Sequence, residues 1–243
     1  MPEVYSEQHD FYYANRYNRT NITDRSIANF RIMKRTRIKI CGITRTSDAL
    51  DAISLGVDAL GFVFVKKSAR CVTSDQCERI ISQLPPFVQT VGLFMDATEE
   101  FVSTILQEVP LDLLQFHGAE SPGYCEIWQK NYLKAIPMGN GNNPTEFVKK
   151  YTSASGFLMD SHMPGQLGGS GDVFDWSSIP VSFTEKPLIL AGGLTAENVS
   201  EAIKQVKPYA VDVSSGVESK KGIKSIDKMR AFVEGVKIAD EKK

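Results

Sequence analysis

From Arg37 onward the chain alternates between short apolar, β-prone runs and longer segments that are apolar on one face. The runs occupy 37–41, 59–64, 89–94, 113–116, 132–137, 156–160, 187–191 and 210–213. Several are apolar at nearly every position, as expected for strands covered on both faces of a parallel sheet. Each is followed by a loop and then by a stretch with helical character. Residues 195–206 show the pattern well, because Ala196, Val199, Ala202, Ile203 and Val206 fall on one helical face. Capping signals mark the helix starts. Asn143-Pro144-Thr145-Glu146 combines a cap, a first-turn proline and a carboxylate that can bond back to the cap. Ser74, Thr98 and Thr195 are the expected caps of three other helices. The sixth helix is expected within 172–179, where the pattern is short and broken by serines.

Strands separated by helices pair in parallel through right-handed crossovers, and eight such units close naturally into a barrel. The expected fold is therefore α/β: a single (β/α)8 TIM barrel over 37–243 with an N-terminal extension over 1–36. In the extension, Tyr5, Phe11, Tyr12, Tyr13 and Tyr17 stand among mixed charges with no regular period. Two readings of it stay open. It is either an upstream stretch outside the functional chain, with Met33 as the natural start, or an arm used in packing or self-association.

A chain of 243 residues, 42% of them hydrophobic, has material for one sizeable core. Its 28 basic and 29 acidic residues leave a net charge of −1. No bulk field then favours nucleic acid or an anionic membrane, so an anionic ligand has to be held by local groups. Cys41, Cys71, Cys77 and Cys125 form no C-x-x-C pair, and His9, His117 and His162 are not spaced as ligands, so no metal is expected. The scattered thiols, the absence of an apolar leader and the lack of any run near the ~18 apolar residues of a membrane span point to a cytoplasmic protein.

In a barrel of this kind the chemistry sits where the strands end and in the loops beyond them. The first strand ends at Cys41 in Lys39-Ile40-Cys41-Gly42-Ile43-Thr44, and the sixth at Asp160 in Leu158-Met159-Asp160-Ser161. The last two strands run into Ala191-Gly192-Gly193-Leu194-Thr195 and Asp212-Val213-Ser214-Ser215-Gly216-Val217-Glu218. Between them stand Gly61-Phe62-Val63-Phe64 leading to Ser68-Ala69-Arg70, then Gln115-Phe116-His117-Gly118, and Gly168-Gly169-Ser170-Gly171 after Asp160. Taken in order, these stretches resemble the signature motifs of the phosphoribosylanthranilate isomerases over about 37–232.

The resemblance implies a cofactor-free Amadori rearrangement of N-(5-phosphoribosyl)anthranilate in tryptophan biosynthesis, an aldose-ketose isomerisation by acid–base catalysis. Opening the furanose needs an acid at the ring oxygen, and rearranging the imine needs a base at the adjacent sugar carbon. Resemblance assigns the acid to Asp160 and the base to Cys41. A thiolate serves if neighbouring donors and helix N-termini favour it. The bland readings are a small buried hydrophobe for Cys41 and a cap or loop ion pair for Asp160.

The implied substrate carries a phosphate at one end and an aromatic carboxylate at the other. Gly192, Gly193, Ser214, Ser215 and Gly216 are the candidates for holding the phosphate through backbone N–H groups. Arg70 is the candidate partner of the carboxylate, which a guanidinium matches bidentately; Ala69 stands where the family more often has proline. The loop 165–171 is expected to close over the site. His117 either orients the ligand or a loop, or is a structural histidine, and Asp212 is expected in the barrel wall, holding nearby loops. The implied partner is a small phosphosugar, bound by a monomer or homodimer. A sister isomerase of histidine synthesis would carry aspartate where this chain has Cys41. A barrel that binds phosphosugars without catalysis would be marked by loss of Cys41 or Asp160.

Overall fold

The apolar runs become the staves of a closed barrel. In order around it stand β1 (Arg37–Cys41), β2 (Ala59–Val63), β3 (Gln89–Phe94), β4 (Leu113–Phe116), β5 (Tyr132–Pro137), β6 (Gly156–Asp160), β7 (Leu188–Leu190) and β8 (Ala210–Val213), every neighbouring pair parallel. The computed structural model describes residues 35–138, 144–161, 175–180 and 184–241. The expectations placed on Asn143, on the loop 165–171 and on residues 1–34 of the extension lie outside the described residues.

Side chains alternate across each stave, as the two-residue period of a strand requires. Ala59, Val91, Leu113, Leu133, Leu158, Ile189 and Ala210 point inward and fill the barrel. Their neighbours Leu60, Phe62, Phe94, Leu114, Phe116 and Phe157 point outward into the larger core beneath the helices. That outer layer includes stacked rings of Phe64 and Phe94, with centroids 5.3 Å apart.

The covering helices are α1 (Thr46–Ser54), α2 (Ser74–Ile81), α3 (Glu99–Glu108), α4 (Pro122–Glu126), α5 (Pro144–Val148), α6 (Val199–Val206) and α7 (Ile226–Glu241). Thr98 caps α3 as expected, its hydroxyl accepting from the Phe101 N–H. On α2 the cap is Thr73 instead of Ser74. Thr73 holds the extended backbone of a cap and accepts from Gln76 N–H, which leaves Ser74 as the first helical residue. The segment expected to be helical from Thr195 divides in two. Asn198 Oδ1 accepts from Thr195 N–H at 2.8 Å while its Nδ2 donates to Gly193 O at 2.9 Å. This ties a separate turn to the glycine loop, and α6 begins only at Val199. The expected sixth helix is a single 3-10 turn, Trp176–Ser178, among the described residues.

An element that the apolar pattern did not signal follows β8. A 3-10 turn at Ser215–Val217 leads into an antiparallel pair, β9 (Glu218–Lys220) and β10 (Ile223–Lys224). It carries Glu218 and Lys224 to the C-terminal rim of the barrel. At the other rim the chain fastens itself: Asp240 of α7 accepts from Thr36 N–H at 2.7 Å and from its hydroxyl at 2.8 Å.

The rim after β4 is held by a buried cation. Lys134 of β5 donates to Gly118 O at 2.6 Å, Phe116 O at 3.2 Å and Glu120 Oε2 at 2.9 Å. Glu120 in turn accepts from the Asp96 and Gly118 N–H groups, each at 2.9 Å. One ion pair thus fixes the β3 and β4 loops together. Its side chains are 0% and 2% exposed, so truncating one partner strands a buried charge. Lys134→Met is expected to lower the unfolding free energy by about 3–5 kcal/mol in denaturant titrations. Thr98→Ala, which removes only a cap, is expected to lower it by about 1 kcal/mol.

Candidate active site

Two strand ends bring the expected acid and base to one place. Cys41 closes β1 and Asp160 closes β6, both residues 6% exposed, and both line a single pocket at the C-terminal mouth of the barrel. Cys41 is in register with Gly61 of β2. A Cβ at Gly61 would stand 2.8 Å from the Cys41 sulfur, so glycine there makes the space in which the thiol lies.

Asp160 faces the end of β4. Its Oδ2 is 3.3 Å from His117 Nε2, and His117 Nδ1 is 3.1 Å from the amide nitrogen of Gln115, two residues back on the same strand. With that amide nitrogen donating, Nδ1 accepts and the ring proton sits on Nε2, toward Asp160. His117 therefore belongs to the site. Gln115 also lines the pocket and was not expected there.

Of the other expected residues, Arg70, Gly192, Gly193, Ser214 and Ser215 line the same pocket, and Gly216 does not. Gly192 and Gly193 have φ of 82° and 62°, a left-handed turn that glycine adopts without strain. Gly216 lies under the β7 loop, where a Cβ would overlap Leu194 O. Its smallness lets two loops approach each other. The Ser214 hydroxyl donates to Cys41 O at 3.0 Å, so that side chain bridges β8 to β1.

The charges at the mouth come in pairs. Arg70 grips Glu218 with Nε and Nη2 at 2.8 and 3.0 Å, and Lys224 donates to the same carboxylate at 2.9 Å. Burial works to raise the Glu218 carboxyl, but these two cations outweigh it and hold the group below the usual range. Burial lowers the Lys224 ammonium, with Glu218 opposing. Deeper in the barrel, Lys39 Nζ lies 2.9 Å from Asp212 Oδ1. Asp212 was expected to hold loops from the barrel wall; it faces inward and takes Lys39 as its partner. Burial pushes the Cys41 thiol up, while the Lys39 and Lys224 charges pull it down.

Glu218, Lys224 and the Lys39–Asp212 pair had no place in the sequence-derived site. For Lys39 a signal existed, since a lysine two residues before Cys41 on one strand shares its inward face. All four thiols are free. Among the described residues no group of three or more His, Cys, Asp or Glu is placed to hold a metal ion, and no helix is long and apolar enough to cross a membrane.

Comparison with known proteins shows the family. The family model for N-(5'-phosphoribosyl)anthranilate isomerase matches residues 38–235. The N-(5'-phosphoribosyl)anthranilate isomerase of Pseudomonas fluorescens is 55% identical over 205 residues, which is 84% of this chain and 100% of that protein. The crystal structure of the Thermotoga maritima phosphoribosylanthranilate isomerase superposes with a TM-score of 0.75 at 39% identity, covering 83% of this chain and 98% of that one. A solved phosphoribosylanthranilate isomerase in complex with reduced 1-(o-carboxyphenylamino)-1-deoxyribulose 5-phosphate does so with a TM-score of 0.72 at 36% identity, again covering 83% and 98%. The chain belongs to the N-(5'-phosphoribosyl)anthranilate isomerase family.

Proposed function

We propose that this chain converts N-(5'-phosphoribosyl)anthranilate to 1-(2-carboxyphenylamino)-1-deoxyribulose 5-phosphate, with Asp160 as the acid and Cys41 as the base. The observation that carries the reading is that the carboxyl ending β6 and the thiol ending β1 line one pocket, together with a guanidinium and a glycine loop. Four free thiols suit a reducing, cytoplasmic setting.

The steps balance without a cofactor. Asp160 gives its proton to the furanose ring oxygen as the bond from that oxygen to the anomeric carbon breaks, and the nitrogen lone pair forms the iminium. The Cys41 thiolate then removes the proton from the adjacent sugar carbon. The carbon–hydrogen pair becomes the carbon–carbon double bond, and the iminium electrons return to nitrogen. Asp160 takes the enol proton as the ketone forms, while Cys41 returns its proton to the former anomeric carbon. Both groups end as they began. His117 Nε2–H, at 3.3 Å, is placed to stabilise the Asp160 carboxylate between the two transfers.

Binding falls to the rim. Glu218 occupies Nε and Nη2 of Arg70, which sets the plane of the guanidinium and leaves the Nη1 donors for the anthranilate carboxylate. The backbone N–H groups of Gly192, Gly193, Ser214 and Ser215 hold the phosphate, with Gly216 keeping the two loops in contact.

Turnover of freshly generated substrate, followed by loss of anthranilate fluorescence, tests the assignment. Cys41→Ala and Asp160→Asn are each expected to lose at least about a hundredfold in kcat while circular dichroism stays that of the parent. Normal turnover by either variant would rule that residue out. The binding roles separate by parameter. Arg70→Met is expected to raise KM about 10- to 100-fold with a smaller change in kcat, and Gly216→Ala to weaken inhibition by inorganic phosphate. An unchanged KM for Arg70→Met would place the carboxylate elsewhere.

A further inference from the structure

Lys39 and Asp212 lie inside the barrel, just beneath the reacting groups, where the acid–base steps give them no part. Lys39 precedes Cys41 by two residues on β1, so both side chains leave the same face of the strand. Lys39 and Asp212 are register partners across the β1–β8 seam; their charged atoms are 2.9 Å apart and the side chains only 5% and 7% exposed. The charge of the same ammonium acts on the Cys41 sulfur, favouring the thiolate against burial. A Cβ on Gly61 would stand 2.8 Å from that sulfur and 3.2 Å from Lys39 Cε, so the absent side chain is what lets thiol and lysine stem run together. Much of the rest of this interior is Ala, Val, Leu and Ile. A buried ion pair is on average no more stabilising than well-packed apolar side chains, so stability alone does not account for it.

We propose that Lys39, held in place by Asp212, is a positioning residue of the reaction that supplies the counter-charge to the Cys41 thiolate. The proposal rests on Cys41 being the base. Other charged groups reach Cys41 from each side. Lys224 of β10 adds a second cation, already bonded to Ser214 and Glu218. Arg70, beyond β2, is committed to Glu218, and Asp160 stands beside His117 on the β6 and β4 side of the mouth. Burial raises the thiol; Lys39 is the largest charge opposing it, and Asp212 acts in the opposite sense to Lys39. Removing Lys39 therefore makes the thiolate harder to form, and neutralising Asp212 makes it easier.

Alkylation of Cys41 by iodoacetamide across a pH series, resolved by peptide mass spectrometry, reads the thiolate directly. Lys39→Met is expected to slow alkylation at neutral pH by at least about tenfold and to move its midpoint up, while Asp212→Asn moves it down. The double variant Lys39→Met with Asp212→Asn leaves no unpaired buried charge. It keeps the test open if the single variant does not fold, and its midpoint is expected above that of the wild type. The acidic limb of the kcat/KM profile is expected to follow the thiol midpoint, with KM little changed. A thiol midpoint that stays in place in both Lys39 variants overturns the proposal. A midpoint that moves while the activity limb stays put overturns it differently, by showing that Cys41 is not the base.

Discussion

Where β8 returns to β1, the closing ladder sets Ile38 against Val211, Lys39 against Asp212 and Ile40 against Val213. That register decides the chemistry of the mouth. Inward and outward positions alternate along a strand, so a slip of one residue would turn Asp212 into the outer core and leave Lys39 charged and alone among apolar side chains. The ion pair and the ladder therefore specify each other, and both place the Cys41 sulfur one step above the lysine. Ser214, donating to Cys41 O at 3.0 Å, repeats the same seam at the rim.

Around that seam, the mouth is built from groups whose partners hold them before any ligand arrives. On one side Cys41 stands over Lys39 and Asp212; on the other Asp160 stands against His117, which Gln115 orients. The loops bearing these groups are anchored outside the pocket. Lys134 and Glu120 join the β3 and β4 loops, while Glu218 gathers Arg70 and Lys224 from the β2 loop and β10. Held in this way, the proposed acid and base would keep their positions through successive proton transfers, which is where orientation contributes most to rate.

The strands were legible because burial on both faces leaves little but apolar residues in them. Only β2 and β7 stop short of the apolar runs, since Phe64, Pro187 and Ala191 are apolar loop residues that continue the pattern past the ladder. Caps were legible to within a residue: Thr73 and Ser74 both carry the hydroxyl a cap needs, and the extended backbone of Thr73 decides between them. The turn at 195–198 was not legible, because Asn198 bonds back to Gly193 across a distance that helical periodicity ignores. At the site, Cys41 and Asp160 could be found as polar stops to apolar strands. Glu218 and Lys224 could not, since their meaning lies in partners brought in by barrel closure, Arg70 being 148 positions away from Glu218.

A net charge of −1 adds a last constraint. The substrate brings a phosphate and a carboxylate, yet the cations near the mouth already have carboxylate partners: Lys39 has Asp212, and Arg70 and Lys224 share Glu218. With two cations on one carboxylate, a single positive charge is in surplus, so bulk attraction is a small part of what the mouth offers. What remains is directional. The Nη1 donors of Arg70 are aimed by the carboxylate that holds its other edge, and backbone N–H groups of the glycine turns need no counter-ion at all. Such a site can take up a dianion without a field that would also pull on the Cys41 thiolate. In the proposed reaction the charges nearest the thiol are then left to the base, and those at the rim to the ligand.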